Sequence, residues 1–150
     1  MVPMEKLLAF TGNNEGLRLE VYKCPAGKDT VGYGHNITDN GMPEAIESWD
    51  GKAITMEDAL KLFEMDITAT EHELRKIFPQ EWANISQNRQ LALIDMMFNM
   101  GSARFRGFKN MILAVRMNMW NVAATEAQNS AWYRQVTRRA EKVIKLLREG

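Results

Sequence analysis

The 150 residues include one cysteine, two histidines and four prolines, and each scarcity excludes something. A single thiol, Cys24, cannot close an internal disulfide. His35 and His72, with no second cysteine, lack the ligand spacing of a zinc site. No apolar run approaches the roughly 20 residues that span a bilayer, so no stable membrane insertion is expected. The opening MVPMEKLLAFTGNNEG carries Glu5 and too short an apolar run for a signal peptide, which predicts a chain left in the cytoplasm where it is made. The GYG ahead of His35 lacks the Gly-Lys-Ser/Thr end of a phosphate loop. No metal, cofactor or nucleic acid is therefore expected.

What is present suits an ordinary soluble domain. Hydrophobic residues make up 45% and charged residues 25%. A chain of this size buries about two-thirds of its unfolded surface and needs no staple. Net charge is zero but unevenly spread: residues 1–100 hold nine Lys/Arg against sixteen Asp/Glu, and residues 101–150 hold ten against three. A basic tail suits an anionic polymer, and it equally suits an acidic part of the same fold.

Pro3 fits the first turn of a helix, and Met4, Leu7, Leu8 and Thr11 recur at helical spacing, predicting a helix to about Glu15. From Arg18 to His35 the strand formers Val21, Tyr22, Thr30, Val31 and Tyr33 flank the turn sequence Pro25-Ala26-Gly27-Lys28-Asp29, which reads as a β-hairpin. Gly32 and Gly34 read as places where backbones approach closely within a strand. Residues 36–53 read as irregular. Thr55 with Asp58 resembles a helix cap, and an apolar stripe of Ala59, Leu62, Phe63, Ile67, Leu74 and Ile77 extends that helix to about Phe78, before Pro79. Residues 81–150 read as helical, with breaks near Gly101, Gly107 and Asn129-Ser130, and LALIDMMFNM as a central buried helix. The expected fold is α+β and mostly helical, a single domain over 1–150. It comprises a small lobe over about 14–56, a connecting helix over about 56–78, and a helical lobe over about 79–150 that includes the N-terminal helix. A cleft between two such lobes is the usual place for a site.

The densest cluster of chemically able residues runs from Glu15 to His35. Glu15 falls at the last turn of the first helix, where the negative end of the helix dipole favours the neutral acid, as a general acid requires. A surface glutamate at a helix end fits the same position. Cys24 fits a nucleophile, a weak base or a small buried hydrophobe. Packing of the hairpin on the long helix would pair His35 with Asp66. That structural ion pair would raise the pKa of His35 and stabilise the fold up to neutral pH. Met96, Met97, Phe98 and Met100, like Trp132 and Tyr133, read as core.

Glu15, eight residues, Cys24, five residues and Thr30 match the spacing of a known family. So do the flanking GLRLEVYK and TVGYGH, then ITMEDALKLFEMD, ALIDMMFNMG, Gly107-Phe108 and SAWYRQVTRRAEKVI. Nearly the whole chain resembles the phage-type lysozymes of glycoside hydrolase family 24, the group that includes those of the T-even phages. The resemblance implies a lysozyme-like fold. It also implies hydrolysis of the β-1,4 bond between N-acetylmuramic acid and N-acetylglucosamine in peptidoglycan. Glu15 would be the general acid, with Cys24 and Thr30 placing or activating water. Phe98 matches a residue lining the sugar site, and Arg139 an arginine that supports the catalytic glutamate. The T-even member has Asp where this chain has Cys24. Lys23, beside it, would favour the thiolate.

The implied role is endolysin-like: a monomer made in the host cytoplasm and released to the cell wall through a holin's pore. A virion-borne lysozyme shares the chemistry but usually sits in a longer chain. A lytic transglycosylase needs one glutamate and no water-placing group. A wall-binding module whose catalysis has lapsed at Cys24 is the non-enzymatic alternative.

Overall fold

Pro3 precedes a helical run that is not uniform. α1 (Met4–Leu7) passes into a π-turn (Leu8–Gly12) and then α2 (Asn13–Glu15) in the computed structural model, which describes residues 1–150. The Asn13 amide donates to the Leu8 carbonyl, five residues back. The Tyr33 ring passes 3.5 Å from where a Gly12 Cβ would stand, and Thr11 is wholly buried with its hydroxyl unpartnered. A π-turn adds a residue to the helical path and so re-aims whatever follows it. Gly16, at φ +77°, ends the helix directly after Glu15.

Three antiparallel strands follow: β1 (Arg18–Lys23), β2 (Asp29–Gly32) and β3 (His35–Asn36), in the order β1-β2-β3. Tyr22 opposes Thr30, Lys23 opposes Asp29 and Val31 opposes His35, with a bulge between Arg18 and Tyr22. The β1–β2 connection is a tight turn. Gly27 donates to the Cys24 carbonyl at 2.8 Å, Cys24 donates to Lys28 at 3.0 Å, and Gly27 takes φ +79°. Pro25 supplies the fixed φ that such a turn uses at its second residue. The stretch read as irregular opens instead with β3 and a short α3 (Ile37–Asn40). The Asn36 side chain caps α3 by accepting from Asp39 at 2.9 Å. Residues 52–54 cover the free edge of β1, with Val21 donating to Lys52 and Ile54 to Leu19, each at 2.9 Å. Covering that edge removes a pairing hazard.

α4 (Met56–Ile77) starts at Thr55, whose hydroxyl accepts from the Asp58 amide at 3.2 Å. The return arm of this cap runs through Ser48. Asp58 accepts from the Ser48 amide and hydroxyl, and Ser48 Oγ accepts from the Thr55 amide at 3.0 Å. The helix ends at Ile77, whose carbonyl accepts from Arg116 Nη2 at 2.7 Å. Residues 56–68 of α4 belong to one compact unit, Met4–Thr68, with Val31, Ile46, Ile54, Ala59 and Leu62 at its core.

The other unit joins Met1–Pro3 to Ala69–Gly150. Its helices are α5 (Gln87–Met100), α6 (Ser102–Arg106), α7 (Lys109–Arg116), α8 (Trp120–Gln128), α9 (Ala131–Gln135) and α10 (Thr137–Glu149). Residues 90–97 of α5 are all buried, so this helix is apolar on nearly every face because nearly every face is covered. Arg89 stacks on Trp120 and donates to the Leu147 and Arg148 carbonyls, a cation at the negative end of α10. The fold is α+β and mostly helical, as its sequence pattern predicts.

Candidate active site

Glu15 is the last helical residue before Gly16 and is half-buried. Its side chain lies across Gly34, in the connection between β2 and β3. A Cβ on Gly34 would stand 2.5 Å from Glu15 Oε2, 3.0 Å from Cδ and 3.3 Å from Cγ. The nearest neighbour of the missing side chain of Gly34 is thus a carboxyl group, and the glycine leaves room for it. The nearby Tyr22 phenol is held above its usual pKa, first by burial and then by the negative charge of Glu15. The Arg18 guanidinium lies 4.5 Å from the Tyr22 ring centroid and opposes that rise.

Cys24 opens the β1–β2 turn and is partly exposed. Hydrogen bonding holds its thiol below the usual value, led by the Lys28 amide, with burial opposing and with Ala26 and the Thr30 hydroxyl assisting. Lys23 is not among the groups that lower it. Its ammonium is engaged by Asp29 at 2.6 Å across the hairpin, so neighbourhood in sequence does not become neighbourhood of charge. Thr30 is 3% exposed, and its hydroxyl donates to the Lys28 carbonyl at 2.9 Å. The turn that carries Cys24 thus also fixes the threonine beside it.

His35, at the start of β3, is buried. Nδ1 is 2.8 Å from Asp66 Oδ2, and Nε2 is 2.8 Å from the Gly41 carbonyl. Both neighbours present acceptor oxygens, an arrangement that favours the doubly protonated ring, an imidazolium. Burial works against the charge, and Asp66 outweighs it by hydrogen bond and by field, with Gly41 adding to it. The His35 pKa lies above the ordinary histidine value. Glu15, Cys24, Thr30, His35 and Asp66 all belong to the Met4–Thr68 unit.

Phe98 and Arg139 belong to the other unit. Phe98 is half-buried near the C-terminal end of α5, where Met96 and Met97 are core. Arg139 on α10 holds Asp95 on α5 in a two-pronged ion pair. Nε donates to Oδ2 at 2.9 Å and Nη2 to Oδ1 at 3.0 Å, with Asp95 fully buried. Sequence reasoning overlooked Asp95. The signal was a lone acid inside LALIDMMFNM, since a charge in a wholly apolar run must find a counter-charge. No three His, Cys, Asp or Glu side chains gather as a metal centre requires. No helix is long and apolar enough to cross a membrane.

Comparison with known proteins identifies the family. The phage lysozyme family model matches residues 12–148. A probable T4-type lysozyme 2 of Dictyostelium discoideum is 31% identical over 91% of this chain and 90% of its own length. An endolysin of Acyrthosiphon pisum secondary endosymbiont phage 1 is 30% identical over 85% of this chain and 77% of its own. The pre-baseplate central spike protein Gp5 of Enterobacteria phage T4 is 30% identical over 99% of this chain, which spans 28% of that protein. With a family match over residues 12–148 and T4-type relatives aligned along most of both chains, the chain belongs to the phage lysozyme family.

Proposed function

We propose that this lysozyme degrades peptidoglycan by hydrolysing the β-1,4 bond between N-acetylmuramic acid and N-acetylglucosamine. Glu15 protonates the leaving glycosidic oxygen. Water attacks the anomeric carbon from the opposite face and loses its proton to the Cys24 thiolate, while the Thr30 hydroxyl fixes the water's position. The cleaved sugar keeps the water's hydroxyl, Glu15 is left as carboxylate and Cys24 as thiol, and proton exchange with solvent resets both. Attack by water on the face away from the leaving group inverts the anomeric centre. Phe98 and Arg139 enter as residues whose loss lowers activity, through sugar contact and through support of the acid.

One observation carries this reading: a thiol held below its usual pKa by its own turn, beside a buried threonine, in the same compact unit as a carboxyl seated at a helix end. A base must be partly deprotonated at working pH, and an ordinary cysteine is not. The relatives include an endolysin, and the role proposed is host lysis, with synthesis in the host cytoplasm, release through a holin's pore and action as a monomer on the wall.

The test is clearing of a peptidoglycan suspension. Glu15→Gln loses activity. Cys24→Asp keeps it while Cys24→Ser loses it, and undiminished clearing by Cys24→Ala would remove Cys24 from the mechanism. Mass spectra of the fragments show reducing ends, whereas 1,6-anhydro ends would mean a transglycosylase. An inverted product anomer by NMR supports water as nucleophile, and a retained one assigns direct attack to the sulfur.

A further inference from the structure

We infer that Gly34 is a positioning residue for the reaction, and that its missing side chain is the seat of the Glu15 carboxylate. The inference rests on the reading of Glu15 as general acid. Three atoms of the Glu15 side chain lie within 3.3 Å of the place where a Gly34 Cβ would be, and Oε2 lies within 2.5 Å. Real Cβ atoms do not approach so closely, so any other residue here drives the carboxyl away by about an ångström. The atoms displaced are the far end of a flexible side chain and not backbone, so the fold itself need not move. The displacement falls on the reacting group.

The surrounding chain builds the same seat from the other side. The π-turn re-aims the end of the helix, Gly16 stops it, and Glu15 is delivered as the final helical residue. On the sheet side, Val31 pairs with His35 across the connection that holds Gly34, and His35 is anchored by Asp66 and Gly41, so the seat is rigid. A misplacement of about 1 Å at a reacting group costs about 10²-fold in rate.

Gly34 also sits at φ +77°, where any L side chain is strained, so the test needs a control that carries strain alone. Gly51 provides it: φ is +90° and nothing lies within 4 Å of its Cβ position. Gly34→Ala, Gly51→Ala and Glu15→Gln are compared with the parent on soluble glycan fragments. Melting temperature, kcat, KM and the pH–rate profile are measured for each. The expected result is that Gly34→Ala melts close to Gly51→Ala, yet loses about 10²-fold in kcat with KM little changed. The alkaline limb of its pH profile, where the general acid loses its proton, also moves, because the carboxyl titrates in a new environment. A kcat no lower than that of Gly51→Ala, or an unmoved pH profile, would overturn the inference while leaving Glu15 as the acid. An active Glu15→Gln would instead remove the general-acid reading itself.

Discussion

Arg139 and Asp95 form the most deeply buried ion pair of the molecule, with two parallel hydrogen bonds of 2.9 and 3.0 Å and an aspartate that has no exposure. Such a pair adds little stability compared with apolar residues of the same volume, because desolvation offsets the attraction. Removing one partner is different, since it takes from a buried charge the counter-charge that two hydrogen bonds hold against it. Asp95→Ala is expected to destabilise the fold by about 3–5 kcal/mol. Asp95→Leu combined with Arg139→Met should recover most of that loss. Urea denaturation of the three variants measures this, and a double variant as weak as the single one would show that the pair itself holds α5 and α10 together.

The sequence made the helical framework readable because periodic apolar residues, Pro79, Gly101 and the Thr55 cap are local signals. The hairpin was readable from Pro25 and Gly27 for the same reason. What stayed hidden depended on contacts between residues far apart in the chain. Ser48 completes the α4 cap from outside the helix, β3 exists only because Val31 pairs with His35, and Asp29 diverts Lys23 from Cys24. In the candidate site, Glu15, Cys24 and Thr30 stood out by spacing. The role of Gly34 did not, because a glycine's contact partner is set by the fold and leaves no mark on its neighbours.

His35 titration should govern one part of the stability profile. Its folded pKa lies above the unfolded value of about 6.5, so its contribution is complete below that pH and is lost as pH rises through the folded value. Asp66→Ala removes an ion-pair hydrogen bond worth about 1.5–3 kcal/mol. The stability gap between parent and Asp66→Ala is therefore expected to be widest near pH 5.5 and to narrow on the alkaline side. Equilibrium unfolding across pH measures the gap, and the NMR titration of the His35 ring locates the window. A gap that widens with pH would contradict the imidazolium assignment.

Asp58 works in the opposite sense. Hydrogen bonds from the Ser48 hydroxyl, first, and the Ser48 amide, with Lys61 adding charge, hold its carboxyl below the usual range against the effect of burial. A depressed carboxylate stabilises above its unfolded pKa, and that contribution fades as pH falls through the folded value. Ser48→Ala should raise the Asp58 pKa and shift acid unfolding to higher pH, while also loosening the start of α4. Circular dichroism during acid titration of the two proteins compares the midpoints, and equal midpoints would mean that the amide alone holds the carboxylate.

Cys24 offers the most direct reading of the candidate site, because a thiolate announces itself by reactivity. The thiol is partly exposed and held below its usual value by the Lys28 amide above all, with Ala26 and Thr30 assisting. Alkylation by iodoacetamide should reach half its limiting rate at a lower pH than for free cysteine. Thr30→Val removes one of the supporting hydrogen bonds and should move that midpoint upward. Lys23→Ala should leave it in place, since the ammonium is held by Asp29. If the thiolate is the base, lytic activity in the Thr30→Val background also falls, and the alkaline shift of its rising limb follows the alkylation midpoint. A midpoint that moves with Lys23→Ala and not with Thr30→Val would assign the lowered pKa to charge in place of hydrogen bonding, and the turn would lose its part in tuning the sulfur.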